Sequence, residues 1–526
     1  MPRSAHRACL LLVAAAALAC ATNPVTGKRE IVLLSESGEI AMGERMYAQA
    51  RQASGGDYTI DPELSAYVAE VGERVAAESD RPNLPYEFHV LNESTPNAWA
   101  LPGGKIAVNR GLLVELASEA ELAALLGHEV THAAARHSAQ ALERGIALQG
   151  ALIATSVALG DKSYAPYAVA GAGVAAALVN LRYGRDDERE ADHYGTGYMH
   201  RAGYDPMAAV ALQEVLLAKS EAGEPNWLEG FFLSHPHSAE RVVANRESAQ
   251  ALVAEGGPAG ELGEERFQSA IASLVASQEF YAAYDAARNA GREGRWEEAR
   301  SLAAAALAGV PGEPRFHTLQ GGLLLEERDY ADAVQSYDRA IELDGSYFLP
   351  YVGRGQARRA LGDERGARAD LERSVRLLPT AEAQVALGEI AEQRGALNEA
   401  LTHYRTVAAS EGMLGARARD SIARLELPSN PGAYLSAQAL LAPDGFLWVQ
   451  VGNRSPLAVR DVVVEIQLGT GRAARVSQLR VWAEIPAGET RNQATGVGPI
   501  RDPASLAQIG LRVVAARVAG AHGRAR

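Results

Sequence analysis

Apolar and polar positions recur with helical spacing through much of the first half of the chain, broken by short runs of strand character. Ser118 with Glu121 three residues later is a capping pair, so a helix is predicted to begin near Ser118. Asn97 to Val108 reads as a strand, a Pro-Gly-Gly turn and a second strand. Residues Gly145 to Leu181 form two Ala/Gly-rich apolar stretches broken by Asp161-Lys162 and Pro166. They lack an uninterrupted span of ~20 apolar residues, which favours a helical hairpin over a membrane crossing. Farther on the pattern becomes periodic. Small residues fall at Ala299, Ala333, Ala367 and Ala400, at spacings of 34, 34 and 33. Gly321, Gly355 and Gly388 precede three of them by twelve positions, and Ala287 takes the fourth place. Trp296 and Tyr330 lie three positions before a small residue, and Met413 to Leu425 reads as a closing helix. After Pro428-Ser429-Asn430-Pro431, the runs Leu447–Val451, Val462–Leu468 and Leu511–Val514 read as strands separated by Gly, Asn and Pro.

Composition narrows the function classes. With 526 residues, 47% of them hydrophobic, the chain is long enough for several cores. Its formal charge of −14 repels phosphate backbones and argues against nucleic acid as a partner. The two cysteines, Cys9 and Cys20, exclude a disulfide scaffold downstream. Arg3, His6 and Arg7 precede the apolar run Ala8–Ala19, the pattern of a signal peptide over residues 1–19. Ala17-Leu18-Ala19-Cys20 resembles a bacterial lipobox, with Ala17 where that pattern usually has Leu. The resemblance implies acylation of Cys20 and a membrane anchor on the periplasmic side of the outer membrane. Without lipidation the destination would be the periplasm.

The strongest chemistry is His128-Glu129-Val130-Thr131-His132. On a helix the two histidines lie one turn apart on one face and can share one Zn²⁺, with Glu129 placed to act as general base. Val130 and Ala133-Ala134-Ala135 point to a buried helix rather than an exposed histidine pair. Ala135 and Ser138 stand where a longer three-histidine motif would need Gly and His, so the third ligand lies elsewhere. The run Asp186 to His193 supplies candidates. Spacing does not separate Glu188 with Asp192 from Glu190 with His193, and a solvated helix N-terminus is a third reading. Neither cysteine is near, so imidazole and carboxylate must build the site, a donor set suited to water activation.

The HExxH helix, the Glu188-x-x-Ala191-Asp192 pattern and Ala202-Gly203-Tyr204-Asp205-Pro206 together resemble one zinc metallopeptidase family. It is the gluzincin family of the CAAX prenyl endopeptidase, HtpX and BepA type. The likeness runs from about Ala41 to Arg246 and includes Asn97 to Gly104. It implies one zinc per chain, held by His128, His132 and Glu188, with Glu129 and Asp192 as catalytic groups and Glu190 either behind the ligands or facing solvent. His235-Pro236 with Arg241 matches a downstream element of the family. It implies His235 as a switch ligand for the open metal position, against a loop histidine with a structural hydrogen bond. Arg241 either polarises a substrate carbonyl or pairs with a carboxylate. Asn97, Ala98 and Trp99 are implied substrate contacts on an edge strand that pairs with an extended peptide.

The periodic segment resembles tetratricopeptide repeats, whose concave face suits a protein partner. The expected organisation is a signal peptide (1–19), a lipid-anchored segment (20–40) and a mainly α zincin-like metallopeptidase domain of α+β class (41–255). A linker and helix (256–279), an α-solenoid of tetratricopeptide repeats (280–426), a small β-sandwich (432–518) and a disordered tail (519–526) follow. The expected function is a zinc endopeptidase of the bacterial cell envelope acting on protein substrates, in outer-membrane protein quality control or assembly. A repeat-based chaperone or scaffold with latent protease activity is the alternative.

Overall fold

The computed structural model describes residues 20–144, 182–223, 227, 230–236, 238–255, 260–469 and 474–520. The expected signal peptide, the hairpin within 145–181 and the last six residues lie outside them. Among the described residues no helix is long and apolar enough to cross a membrane. The chain divides into two compact units, Met1–Pro379 and Thr380–Arg526.

The first unit opens with a small antiparallel hairpin, β1 (Cys20–Thr22) and β2 (Arg29–Ile31), followed by a helix over Glu36–Ala53. A second helix, Pro62–Ala76, starts at Asp61, whose side chain accepts from the Leu64 amide, with Pro62 in the first turn where its missing N–H costs nothing. Strands β3 (Glu87–Leu91), β4 (Ala98–Leu101) and β5 (Lys105–Asn109) form one sheet in the order β3-β5-β4, parallel for β3/β5 and antiparallel for β4/β5. The β4–β5 turn is Pro102-Gly103-Gly104, and both glycines have positive φ, 77° and 82°, which side chains resist.

Alternation along the strands separates two faces. Ala98, Ala100, Ile106 and Val108 pack with Leu122, Leu126 and Val130 in the main core. Trp99, Leu101 and Ala107 face the other way, against Tyr47 and Ala50 of the 36–53 helix. The helix carrying His128 spans Glu119–Ala134 and is buried along its whole length. It begins as the capping pair predicts: Ser118 Oγ accepts from the Glu121 amide at 3.2 Å, and Glu121 accepts from the Ala117 amide at 2.7 Å. Helices Pro62–Ala76, Arg185–Arg201 and Met207–Ala222 pack against it, and Ala239–Ala254 packs on the last two of these.

Helix Glu264–Ala276 follows, and Phe267, Ile271 and Leu274 enter the same core. Paired helices then alternate from Gln278 to Leu377 in the first unit and from Ala381 to Glu426 in the second. Ala287, Ala299, Ala333, Ala367 and Ala400 are all completely buried. The aromatic rings that fill the space between paired helices are Tyr337 and Tyr404, four residues after the small positions. A Cβ added to Gly321 would come within 2.9 Å of Tyr337, and one added to Gly388 within 2.6 Å of Tyr404. Trp296, three positions before Ala299, stays 41% exposed.

The first repeats are joined to the sheet of the same unit by a buried polar network. Glu313 accepts from Asn92 Nδ2 (2.9 Å) and from the Tyr281 hydroxyl (2.5 Å), while Arg110 donates to Asn92 and lies 3.4 Å over the Tyr281 ring. In the second unit, strands β6 (Leu435–Leu441), β7 (Leu447–Asn453), β8 (Val459–Leu468), β9 (Arg475–Val481), β10 (Thr490–Ala494) and β11 (Ile509–Val518) form two antiparallel three-stranded sheets, β10-β7-β6 and β11-β8-β9. Val449, Val451, Val462, Val464 and Val513 from both sheets share one apolar core.

Candidate metal centre

His128 and His132 project from one face of the 119–134 helix, with their Nε2 atoms 3.0 Å apart. The 185–201 helix crosses directly against it. A Cβ on Gly127 would meet the Gly195 carbonyl oxygen at 2.7 Å, so only two glycines permit this approach. The crossing brings Glu188 Oε1 to 3.5 Å from His132 Nε2 and Glu188 Oε2 to 3.7 Å from His128 Nε2. The turn Phe231–Ser234 then delivers His235, whose Nδ1 lies 2.9 Å from Glu188 Oε1 and 3.3 Å from His128 Nε2. One ligand atom from each of His128, His132, Glu188 and His235 falls within 4.8 Å of the others, and all four residues are buried.

The donor set suits zinc, which binds imidazole nitrogen and carboxylate oxygen in tetrahedral sites. The surroundings fit as well. Both carboxylate oxygens of Glu129 are buried without a hydrogen-bond partner among the described residues, a costly arrangement unless a water or ion completes it. Burial raises the Glu129 carboxyl above its ordinary range, opposed by the nearby His235 and His128. Burial would raise Glu188 too, but His235, the hydrogen bonds from His132 and His235, and the Arg241 charge hold it well below that range. Burial pushes His132 well below the ordinary imidazole value.

Asp192 sits behind His128, with Oδ1 3.1 Å from its Nδ1. Arg241 grips Asp192 through Nε and Nη2, each at 2.8 Å, and its Nη1 reaches Glu188 Oε2 at 2.6 Å and the Pro236 carbonyl at 2.8 Å. Burial opposes ionisation of Asp192, yet Arg241 and His128 lower its pKa to about 2. The guanidinium is thus spent on two carboxylates and one carbonyl, the carboxylate-pairing alternative for Arg241. Glu190 points elsewhere, towards His137, and His193 lies on the exposed side near Ser248 Oγ at 3.2 Å.

The β4 strand is a sheet edge, as a peptide-pairing strand requires. Its Ala100 carbonyl accepts from Ser138 Oγ (2.7 Å) and the Tyr183 hydroxyl (3.3 Å). Asn97 Oδ1 accepts from the Ala98 amide at 3.0 Å. The Trp99 side chain turns away from the metal group to meet Tyr47 edge-on, so this residue offers the site its backbone alone.

Three features had no place in the sequence reading. Tyr183 stacks on His132 with ring centroids 3.8 Å apart, and Phe231 stacks on His235 at 4.6 Å. The Gly127–Gly195 crossing joins residues far apart in the chain. His137 touches His132, and its signal was present as a histidine five positions after the motif.

Two family models match the chain: peptidase family M48 over residues 62–249, and tetratricopeptide repeat over residues 284–347 and 352–413. The chain is similar to mitochondrial metalloendopeptidase OMA1 of Schizosaccharomyces pombe, 32% identical over 227 residues, covering 42% of this chain and 63% of that protein. It is similar to the putative beta-barrel assembly-enhancing protease of Vibrio cholerae, 30% identical over 199 residues, 36% of this chain and 40% of that one. The beta-barrel assembly-enhancing protease of Escherichia coli is 28% identical over 238 residues, 44% and 48% of the two chains. The chain thus spans about half the length of these curated relatives.

Proposed function

Since the chain carries a peptidase family M48 domain followed by tetratricopeptide repeats, we propose that it is a zinc metalloendopeptidase acting on protein substrates in the bacterial cell envelope. The observation that carries the reading is the convergence of His128, His132, Glu188 and His235 beside a buried Glu129 whose carboxylate oxygens have no hydrogen-bond partner among the described residues. Zinc held by His128, His132 and Glu188 would supply Lewis-acid activation of a water and of the scissile carbonyl. Glu129 would act as the general base, taking a proton from the attacking water and returning it to the leaving amine, a task that its raised pKa favours. Asp192 orients His128 through Nδ1, and Arg241 holds Asp192 in place. An extended substrate pairs along β4, exchanging the Ser138 and Tyr183 hydroxyls at the Ala100 carbonyl for its own N–H.

The setting is read from the relatives named beta-barrel assembly-enhancing protease and from the lipobox-like sequence before Cys20. Both favour a role in outer-membrane protein quality control or assembly, with a lipid anchor at Cys20. The repeats offer a surface for a protein partner. The two C-terminal sheets, sharing one core, are read as a small sandwich.

A second reading, latent proteolysis, is favoured by His235. His235 is fully buried and offers a ligand atom to the same group as His128, His132 and Glu188, so as a fourth ligand it would take the place of an attacking water. Glu129→Gln tests the first reading: zinc content is retained and casein cleavage falls by about 10²–10⁴-fold. Undiminished cleavage by that variant would refute it. His235→Ala tests the second: cleavage becomes faster, whereas an unchanged rate and zinc affinity remove His235 from the mechanism.

A further inference from the structure

A chain of contacts runs outward from the second motif histidine. His132 turns Nε2 towards His128 (3.0 Å) and Glu188 Oε1 (3.5 Å), which leaves Nδ1 facing away, 2.9 Å from Nδ1 of His137. His137 Nε2 lies 3.3 Å from Glu190 Oε2, and Glu190 Oε1 pairs with Lys28 Nζ at 2.5 Å. His132 is fully buried and His137 is 1% exposed, so these rings depend on protein groups for their partners.

A neutral imidazole has one N–H and one lone pair. When His132 gives its Nε2 lone pair to a metal, its hydrogen sits on Nδ1 and needs an acceptor, which is Nδ1 of His137. The hydrogen of His137 is then on Nε2, where the Glu190 carboxylate accepts it. Each assignment forces the next, and Lys28 holds the far end. Tyr183 fixes the plane of His132 by stacking but leaves its Nδ1 to His137.

We infer that His137 is a positioning residue for the metal centre, holding His132 in the tautomer that presents Nε2, with Glu190 as its anchor. The inference rests on the proposed ligation by His132. It gives Glu190 a place behind His137, at the far end of a relay that starts at the ligand His132.

The test measures zinc dissociation constants of the full chain by competition with a chromophoric chelator, together with melting of the metal-free protein. His137→Leu removes the acceptor while filling the space and weakens zinc binding about 10–100-fold. His137→Asn restores an oxygen acceptor and recovers most of that loss. Equal affinities for the Leu and Asn variants would overturn the proposal, since filling space alone would then suffice. Glu190→Leu weakens binding several-fold; if the position-137 variants do not fold, unchanged affinity in this one overturns the proposal instead. His132→Ala separates the two layers of the argument. Loss of zinc there with no loss in His137→Leu removes only the positioning role, while retention of zinc there removes the ligand assignment itself.

Discussion

Arg241 supplies the fixed positive charge in a site otherwise built from carboxylates and imidazoles. Two buried acids depend on it, Asp192 through two 2.8 Å contacts and Glu188 through one at 2.6 Å. Arg241→Met leaves both without that partner, and unpaired buried charges cost about 3–5 kcal/mol. Bound zinc would replace part of the missing charge. The metal-free protein is therefore expected to lose more stability than the zinc-loaded protein, as urea unfolding with and without zinc would reveal. Equal losses in the two states would refute this. The sign of the acid dependence follows from Asp192. Its folded pKa of about 2 lies below the unfolded value, so its contribution is complete above the ordinary carboxylate range and lost as pH falls towards 2. In Arg241→Met that loss begins at higher pH. The motif trio was legible in the sequence because its contacts repeat every helical turn. Glu188 and Glu190 lie two positions apart on one helix, and only the packing partner of each face distinguishes them: His128 and His132 for the first, His137 for the second.

Helix crossings set the distances that the residues need. Gly127 and Gly195 let the backbones of the 119–134 and 185–201 helices touch, and a Cβ on Gly195 would lie 2.7 Å from the Gly127 carbonyl carbon. Gly195→Ala must push the helices apart, drawing Glu188 away from the histidines. The expected outcome is weaker zinc binding and a stability loss of about 1–3 kcal/mol. Gly197→Ala on the same helix is the control. Its Cβ meets nothing closer than an Arg201 nitrogen at 3.5 Å, so helix propensity predicts a gain of up to about 1 kcal/mol. Equal zinc affinity and equal melting temperature in the two variants would contradict the crossing argument. Nothing local marks Gly195 as a contact for Gly127, which is why the pair escaped sequence reading. The repeat helices were legible for the opposite reason: the same small positions recur four times. Even there the ring positions are uneven: Tyr330 packs against Ala333 and Tyr337, Trp296 stays exposed, and Tyr337 and Tyr404, one turn after the small residues, fill the gaps without a periodic signal of their own.

At the scale of the molecule, apolar burial continues past the boundary that composition marks. The Gly-Pro-rich stretch after Glu255 suggests that one folded unit ends there, yet Phe267, Ile271, Leu274, Tyr281 and Phe316 share a core with Leu64, Val68 and Leu126. The link is polar as well. Glu119, at the start of the motif helix, accepts from Arg266 through both carboxylate oxygens at 2.9 Å. Glycine and proline report where the backbone turns, whereas a core ends where apolar burial ends. A chain stopped at Glu255 would expose the surfaces that these side chains cover and lose the side chains themselves. At about 1.5–3 kcal/mol for each large apolar side chain, the loss rivals the 5–15 kcal/mol that holds a typical domain together. A chain stopped at Pro379 keeps every one of them and coincides with the end of the first compact unit. The shorter chain is therefore expected to lack a cooperative thermal transition and to bind zinc poorly, while the longer one melts cooperatively and retains zinc. Circular dichroism melts and metal content of the two chains decide the matter. A cooperative melt of the shorter chain at the temperature of the longer one would show that the repeats contribute nothing to the core that carries His128 and His132.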